Sequence, residues 1–254
     1  MTRVVNIMPM AGLGKRFINS KFKLPKPLII IKNKPMFIQA AKSMPNSNLN
    51  IFICNQKLVE KYRIKKILTK EFKNKYKLIT VKKTTKGQAN TCLLAKKYLR
   101  DNDKIFIHSC DSLIKFNKIH LNKDLSEYDG IVYTTKPNNT HIKNIKSYGW
   151  INIKKNKINK ITCKKKASLF PKKDFVIIGT FAFKNKKTFL KLMKDLFASK
   201  ETINNEYYLD MVFKLAVENK HKIKNINVKK YFSWGTPTEL IDWGKKNKIK
   251  SIYE

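Results

Sequence analysis

The chain has 254 residues, of which 42% are hydrophobic and 11% aromatic; that is enough to bury one sizeable core and too much for a disordered chain. No window holds a run of about 18 uncharged apolar residues, which argues against a membrane-spanning helix. The N-terminus enters a strand pattern directly, so no signal peptide is expected, while 56 basic against 17 acidic residues leave a formal charge of +39.

In chain order, Val4 to Pro9 reads as a buried strand. Leu28 to Ile31 is a short apolar run, and Met36 to Met44 has a helical period. Asn50 to Cys54 is a second strand, Gln56 to Thr69 a basic amphipathic helix, Lys77 to Val81 a third strand and Gln88 to Leu99 a helix. Lys104 to His108 is a fourth strand, ending at Ser109-Cys110-Asp111. A helix is expected over Asn117 to Leu125 and a strand over Gly130 to Thr134. This alternation predicts an α/β fold with a mostly parallel sheet and helices on both faces. The second half changes character. Tyr148 to Ile153 and Lys157 to Thr162 form a hairpin turning near Lys155-Asn156, and Phe175 to Phe183 is a long strand. Helices follow near Thr188 to Phe197 and Asn205 to Glu218, then a strand at Lys222 to Val228 and a last helix at Thr236 to Lys246. No repeat or linker interrupts the chain, so residues 1–254 are expected to form a single domain.

The charge admits two readings. Nucleic acid or an anionic membrane would be drawn to it. However, only Arg3, Arg16, Arg63 and Arg100 are arginines; the other 52 basic residues are lysines, spread along the whole chain with many Asn and Ile. Nucleic-acid readout leans on Arg, so a compositional drift with solvated lysines is favoured and no specific nucleic-acid partner is expected. Such a field would still help draw anionic small molecules. Cys54, Cys92, Cys110 and Cys163 are scattered and the four histidines show no HxxxH spacing. Reduced thiols and a cytoplasmic location are expected.

The stretch VVNIMPMAGLGKRF, Val4 to Phe17, drives a strand into Ala11-Gly12-Leu13-Gly14 and then into Lys15 and Arg16. Glycines let the backbone approach a ligand closely, and free N–H groups in such a loop favour an anion. Pro9 and Arg16 break the P-loop pattern, and Phe17 breaks GxGxxG. On its own the stretch fits a phosphate loop or a plain strand-to-helix turn. Downstream, Lys26 stands between Pro25 and Pro27, which fix the local backbone.

The combination AGLGKRF, PKPLI and KPM resembles the sugar-phosphate nucleotidyltransferases, the nucleoside-diphosphate-sugar pyrophosphorylases, whose signature is a glycine-rich AGxGxR loop followed by PKP. The later segments KGQAN, HSCD, SYGWI, GTFAF, NEYYLD and WGTPTEL follow in the family's order, so the resemblance spans nearly the whole chain. It implies a Rossmann-like three-layer sandwich around a mixed, mostly parallel sheet. The implied reaction is attack of a sugar 1-phosphate oxygen on the α-phosphorus of an NTP, with pyrophosphate leaving and Mg²⁺ as cofactor. Positioning and charge neutralisation then carry catalysis.

By this resemblance Ala11, Gly12, Gly14, Lys15 and Arg16 would hold the triphosphate, and Lys26 would bridge the α-phosphate and the acceptor. Asp111 would ligate Mg²⁺, as a carboxylate at the C-terminal end of a strand can; a loop or helix-cap carboxylate is the other reading. Gly87 and Gln88 would meet the base, although Gln88 also fits a helix N-terminus. Tyr148, Gly149, Lys164 and Glu206 would hold the acceptor, and Tyr148-Gly149 also fits a strand-edge turn. Two positions depart from the family pattern. Ser233 stands where a second metal carboxylate is common, leaving Glu206, Asp210 and Glu239 as substitutes, and Cys163 replaces a Glu before Lys164. A phosphocholine-type acceptor therefore stays open beside a sugar phosphate, as does a silent nucleotide-binding relative. The chain carries no acyltransferase or β-helix extension, so a stand-alone transferase serving surface polysaccharide supply is expected. No motif encodes an oligomeric state, and a homo-oligomer stays open.

Overall fold

A computed structural model describes residues 2–18, 20–117 and 121–247. The first half contains β1 (Val4–Met10), α1 (Lys15–Ile18), β2 (Ile30–Ile31), β3 (Lys34–Pro35), α2 (Met36–Ser43), β4 (Leu49–Asn55), α3 (Gln56–Lys61), α4 (Ile64–Phe72), β5 (Tyr76–Val81), α5 (Gln88–Leu93) and β6 (Lys104–His108). It continues with β7 (Ser112–Lys115), α6 (Leu121–Glu127), β8 (Gly130–Thr135), α7 (Asn139–Lys143), β9 (Gly149–Lys154), β10 (Lys157–Cys163) and β11 (Phe175–Phe183). The last elements are α8 (Lys186–Ser199), α9 (Leu209–Glu218), β12 (Ile223–Asn227), β13 (Lys230–Ser233) and α10 (Pro237–Lys246).

The central sheet is mixed and mostly parallel. β1 runs between β4 and β6, parallel to both, with Ile7 opposite Ile51 and Ile107. β5 adds in parallel beyond β4. β11 runs antiparallel to its neighbours: its C-terminal half pairs with β6 and its N-terminal half with β9, beyond which β10 adds antiparallel to β9. Its other edge carries β8, followed by β12 in parallel. The change of partner falls at Gly179, whose φ of 66° no β-branched residue adopts cheaply, and the register with β8 shifts there.

The apolar strand runs are buried on both faces, as a sheet covered on two sides requires. The period of two sends Ile7, Ile51, Ile105 and Ile107 to one face, against Ala89 and Cys92 of α5, Leu192 and Leu196 of α8 and Val212 and Phe213 of α9. Met8, Phe52 and Phe106 point the other way, onto Phe37 of α2, Leu68 of α4 and Leu125 of α6. This is the expected three-layer arrangement. A separate cluster packs Phe17, Ile31 and Met36 against Trp234 and Trp243, fixing the chain after α1 to α10.

Local departures have local causes. The helix expected over Gln56 to Thr69 splits into α3 and α4 because Arg63 is left-handed, φ 50°. The helix from Gln88 tightens into a 3-10 turn over Leu94–Tyr98. The helix expected over Asn117 to Leu125 is seen as α6; residues 118–120 lie outside the described residues. The helix expected from Asn205 starts at Leu209, since Ile203 and Glu206 first close a bridge. The hairpin turns at Lys155-Asn156 as expected, both with positive φ, which the twist of a tight hairpin favours. The four-residue pair β7 and β13 and the short α7 lack a readable period and were not expected.

Candidate active site

The end of β1 opens into a cleft of about 500 Å³ lined by Ala11, Gly12, Lys15, Gly87, Gln88, Asp111 and Glu206 among others. It lies at the C-terminal ends of the parallel strands, where open α/β sheets bind ligands. A Cβ on Gly12 would meet nothing within 4 Å, so this backbone faces open space. Gly14 has φ 62°, and its carbonyl accepts from the Phe17 amide at 2.8 Å to start α1. A Cβ on Gly14 would lie 3.4 Å from the Lys26 Cβ, so glycine lets the loop pack on that lysine. Lys15 and Arg16 are exposed on α1.

Lys26 begins a 3-10 turn after Pro25, whose φ and ψ of −55° and 143° set the entry. Its ammonium pairs with the Asp111 carboxylate and donates to the Gly235 carbonyl at 3.1 Å. Asp111 sits in the loop between β6 and β7, and that loop is pinned. Ser109 N donates to Gly179 O at 3.2 Å, the Ser109 and Ser112 hydroxyls share a hydrogen bond of 2.9 Å, and Trp234 N donates to Asp111 O at 2.8 Å. Below it, the buried His108 ring bonds the Thr180 hydroxyl and the Ser112 carbonyl; burial pushes its pKa down to about 4, so it is neutral at pH 7. Burial would raise the Asp111 pKa, but the charge and hydrogen bond of Lys26 more than offset it and leave the carboxyl below its usual range. Asp111 is ionised, and its side chain keeps 25% of its surface exposed toward the cleft.

At the far wall, Gly87 has φ 99°, and a Cβ there would stand 2.6 Å from both the amide nitrogen and the carbonyl oxygen of Tyr207. Two backbone bonds tie these segments, Ala89 N to Tyr207 O at 3.0 Å and Tyr207 N to Lys86 O at 2.9 Å. The expected base loop and the segment bearing Glu206 are thus one stitched unit. Glu206 accepts from the Tyr208 hydroxyl, which in turn accepts from Lys164 Nζ at 2.7 Å. Lys164 N donates to Tyr148 O at 3.0 Å, joining two of the expected acceptor residues. Tyr148 donates its hydroxyl to Glu239 Oε1 at 2.9 Å, and Thr236 holds the same carboxylate through Oε2 at 3.0 Å.

A family profile described as Nucleotidyl transferase matches residues 6–248. The chain belongs to this family. Solved structures with the same fold include the nucleoside-diphosphate-sugar pyrophosphorylase from Vibrio cholerae RC9, with TM-score 0.75 and 18% identity over 94% of this chain and 99% of that one. A putative glucose-1-phosphate thymidylyltransferase from Bacillus anthracis gives 0.77 and 15% over 97% and 96%. The inositol-1-phosphate CTP transferase from T. maritima gives 0.68 and 15% over 94% and 91%. No curated protein sequence matches the chain.

Among the described residues no three His, Cys, Asp or Glu side chains gather into a metal-holding group. A smaller oxygen-lined cradle exists at Gly235. A Cβ there would stand 3.3 Å from Glu239 Oε2, 3.3 Å from Ser233 Oγ and 3.7 Å from Asp111 Oδ2. One or two carboxylates completed by substrate phosphates and water are what Mg²⁺ commonly takes, so the residues present fit that ion.

Three side chains touch the expected acceptor residues without having been expected there; Asp210 and Glu239 were read from the sequence only as substitute metal ligands. Tyr208 links Lys164 to Glu206, and no spacing signals it. Glu239 reaches Tyr148, although its Thr-x-x-Glu capping spacing was visible. Asp210 lies under Gly149, where a Cβ would be 2.3 Å from its Oδ2. Burial raises the Asp210 carboxyl to about 7, against the opposing effects of the Cys163 hydrogen bond and the Lys164 charge.

Proposed function

We propose that the chain transfers a nucleotidyl group from an NTP to the phosphate of a small acceptor, a sugar 1-phosphate, with release of pyrophosphate. The observation that carries this reading is the Lys26–Asp111 pair, set beside an open glycine loop in a cleft whose opposite wall is the Gly87–Gln88 loop. Gly12 and Gly14 would offer backbone amides to the triphosphate, with Lys15 and Arg16 adding charge. Lys26 would hold the α-phosphate and the incoming phosphate oxygen together, leaving Asp111 as substrate arrives. An acceptor oxygen forms the new P–O bond as the bond to pyrophosphate breaks, and the departing charge stays on pyrophosphate. Asp111 and Glu239 would hold Mg²⁺, which supplies positive charge to the phosphates when bound. Tyr148, Gly149, Lys164 and Glu206 would orient the acceptor. Residues 1–254 act as one transferase domain in this reading, supplying activated sugars for surface polysaccharide.

A second acceptor class is favoured by one observation. Cys163, where the resemblance puts a Glu, is buried and held neutral, since burial first and the Asp210 charge second raise its pKa. A similar fold carries the printed name of an inositol-1-phosphate CTP transferase, so an alcohol phosphate such as phosphocholine belongs in the test. Pyrophosphate release is measured with ATP, CTP, GTP, UTP and dTTP against sugar 1-phosphates, inositol 1-phosphate and phosphocholine, with Mg²⁺. Release with one pair is expected and fixes base and acceptor together. Nucleotide binding without release from any pair would overturn the transferase reading.

A further inference from the structure

The loop joining β10 to β11 presents two large apolar side chains to water. Leu169 is 79% and Phe170 64% exposed; among the described residues only Ile18, at 68%, is a large hydrophobic of comparable exposure. They are not on a loosely held segment. The Ser168 hydroxyl bonds both carboxylate oxygens of Asp174 at 2.9 Å and accepts from Phe170 N at 3.1 Å. Asn152 donates to the same Asp174 at 2.8 Å, and Lys173 N closes a turn onto Phe170 O at 2.8 Å. Asp174 is fully buried. A polar clip therefore holds an apolar tip outward, where single scattered apolar residues would need no such support.

The sequence flanking the tip has one sign of exposed charge. Lys165, Lys166, Lys172 and Lys173 flank it and are exposed, and Lys173 lies 5.5 Å from the Phe170 ring centre. Between Asp129 and Asp195 the only acidic residue is the buried Asp174. Adjacent exposed apolar side chains flanked in the chain by exposed lysines complement a layer of anionic headgroups over hydrocarbon. No helix among the described residues is long and apolar enough to cross a membrane, so contact would be peripheral.

We propose that the Leu169-Phe170 tip and its flanking lysines dock the protein on anionic lipid bilayers. The apolar pair enters the headgroup boundary and the lysines meet lipid phosphates. Bulk lysine charge alone would also attract anionic vesicles, and the apolar pair separates the two ideas.

The test is flotation of the full chain with phosphatidylcholine vesicles, with and without roughly one-third phosphatidylglycerol, at about 0.15 M salt. Leu169→Ser/Phe170→Ser and Lys165→Glu/Lys166→Glu variants are run beside the wild type, with circular dichroism and nucleotide binding showing that each is folded. The wild type is expected to float with the anionic vesicles only, and each double variant to lose roughly tenfold or more of that partition. Flotation of the serine variant equal to wild type would assign binding to diffuse charge and overturn the proposal. So would an unbound wild type. So would gel filtration in which a wild-type dimer becomes a monomer in the serine variant with flotation unchanged, because the tip would then be an interface between copies.

Discussion

Lys26 and Asp111 neutralise one another across the floor of the cleft, and each is held from outside the pair. Lys26 is fixed by the Pro25 entry, and Asp111 by Trp234 N and the Ser109–Ser112 bond. In the proposed reaction both contribute charge at the reacting phosphates, so Lys26→Ala and Asp111→Ala should each lower kcat by about 10²-fold or more. Circular dichroism should show the fold intact in both variants. Near-full turnover in both would remove these residues from the site. Asp210 behaves differently. Its folded pKa of about 7 lies above the ordinary carboxylate value of 3.8. The folded state therefore holds its proton more tightly, and Asp210 disfavours folding increasingly as pH rises from about 4 to 7. Asp210→Asn should match wild type in melting temperature below pH 4 and exceed it by a few degrees, on the order of 3 °C, at pH 8. An offset independent of pH would refute that linkage. At this scale the sequence placed residues correctly in space: Gly12 and Asp111, expected together from glycine and strand-end context, line one cleft, and Lys26, marked by its two prolines, pairs with Asp111. It could not show Tyr208 between Lys164 and Glu206, because a hydroxyl's partners depend on residues 44 positions away in the chain.

β11 is the element on which the site's geometry turns. Its bulge at Gly179 lets one strand serve β9 and β6 in succession, and the Gly179 carbonyl anchors the loop that ends in Asp111. A Cβ at Gly179 would stand 3.4 Å from the Ser109 Cβ, and φ 66° strains any side chain. Gly179→Ala should cost about 1–2 kcal/mol and lower kcat as well, because Asp111 is carried by the same loop. Urea unfolding and turnover measured on one preparation would check this; loss of stability with unchanged kcat would uncouple the bulge from the site. The strands and the large amphipathic helices were legible because their periods of 2 and 3.6 survive in the sequence. The break at Arg63 was not, since a single left-handed non-glycine residue leaves the apolar period on either side intact. β7 and β13 were missed because four-residue strands give a period no length over which to show.

For the whole molecule, a formal charge of +39 would act on the anionic substrates of the proposed reaction as a diffuse field. The KM for NTP should rise several-fold, about threefold, between low and physiological salt while kcat stays level. A flat KM would confine the electrostatics to the residues that touch phosphate. The α/β class and the sheet's parallel half were readable from alternation alone. The placement of the β9–β10 hairpin beside half of β11 was not, because it depends on a partner change inside one strand. The stitching of Lys86–Ala89 to Tyr207 has a further consequence at this scale. The part of the cleft that would choose the base and the part that would choose the acceptor share backbone hydrogen bonds and a contact too tight for any side chain at position 87. In the proposed function the two specificities would therefore be mechanically one cassette. Re-engineering the base preference by grafting the 84–90 loop from a relative would require the 203–208 segment to be transplanted with it, and natural changes of donor and acceptor would be inherited as a pair.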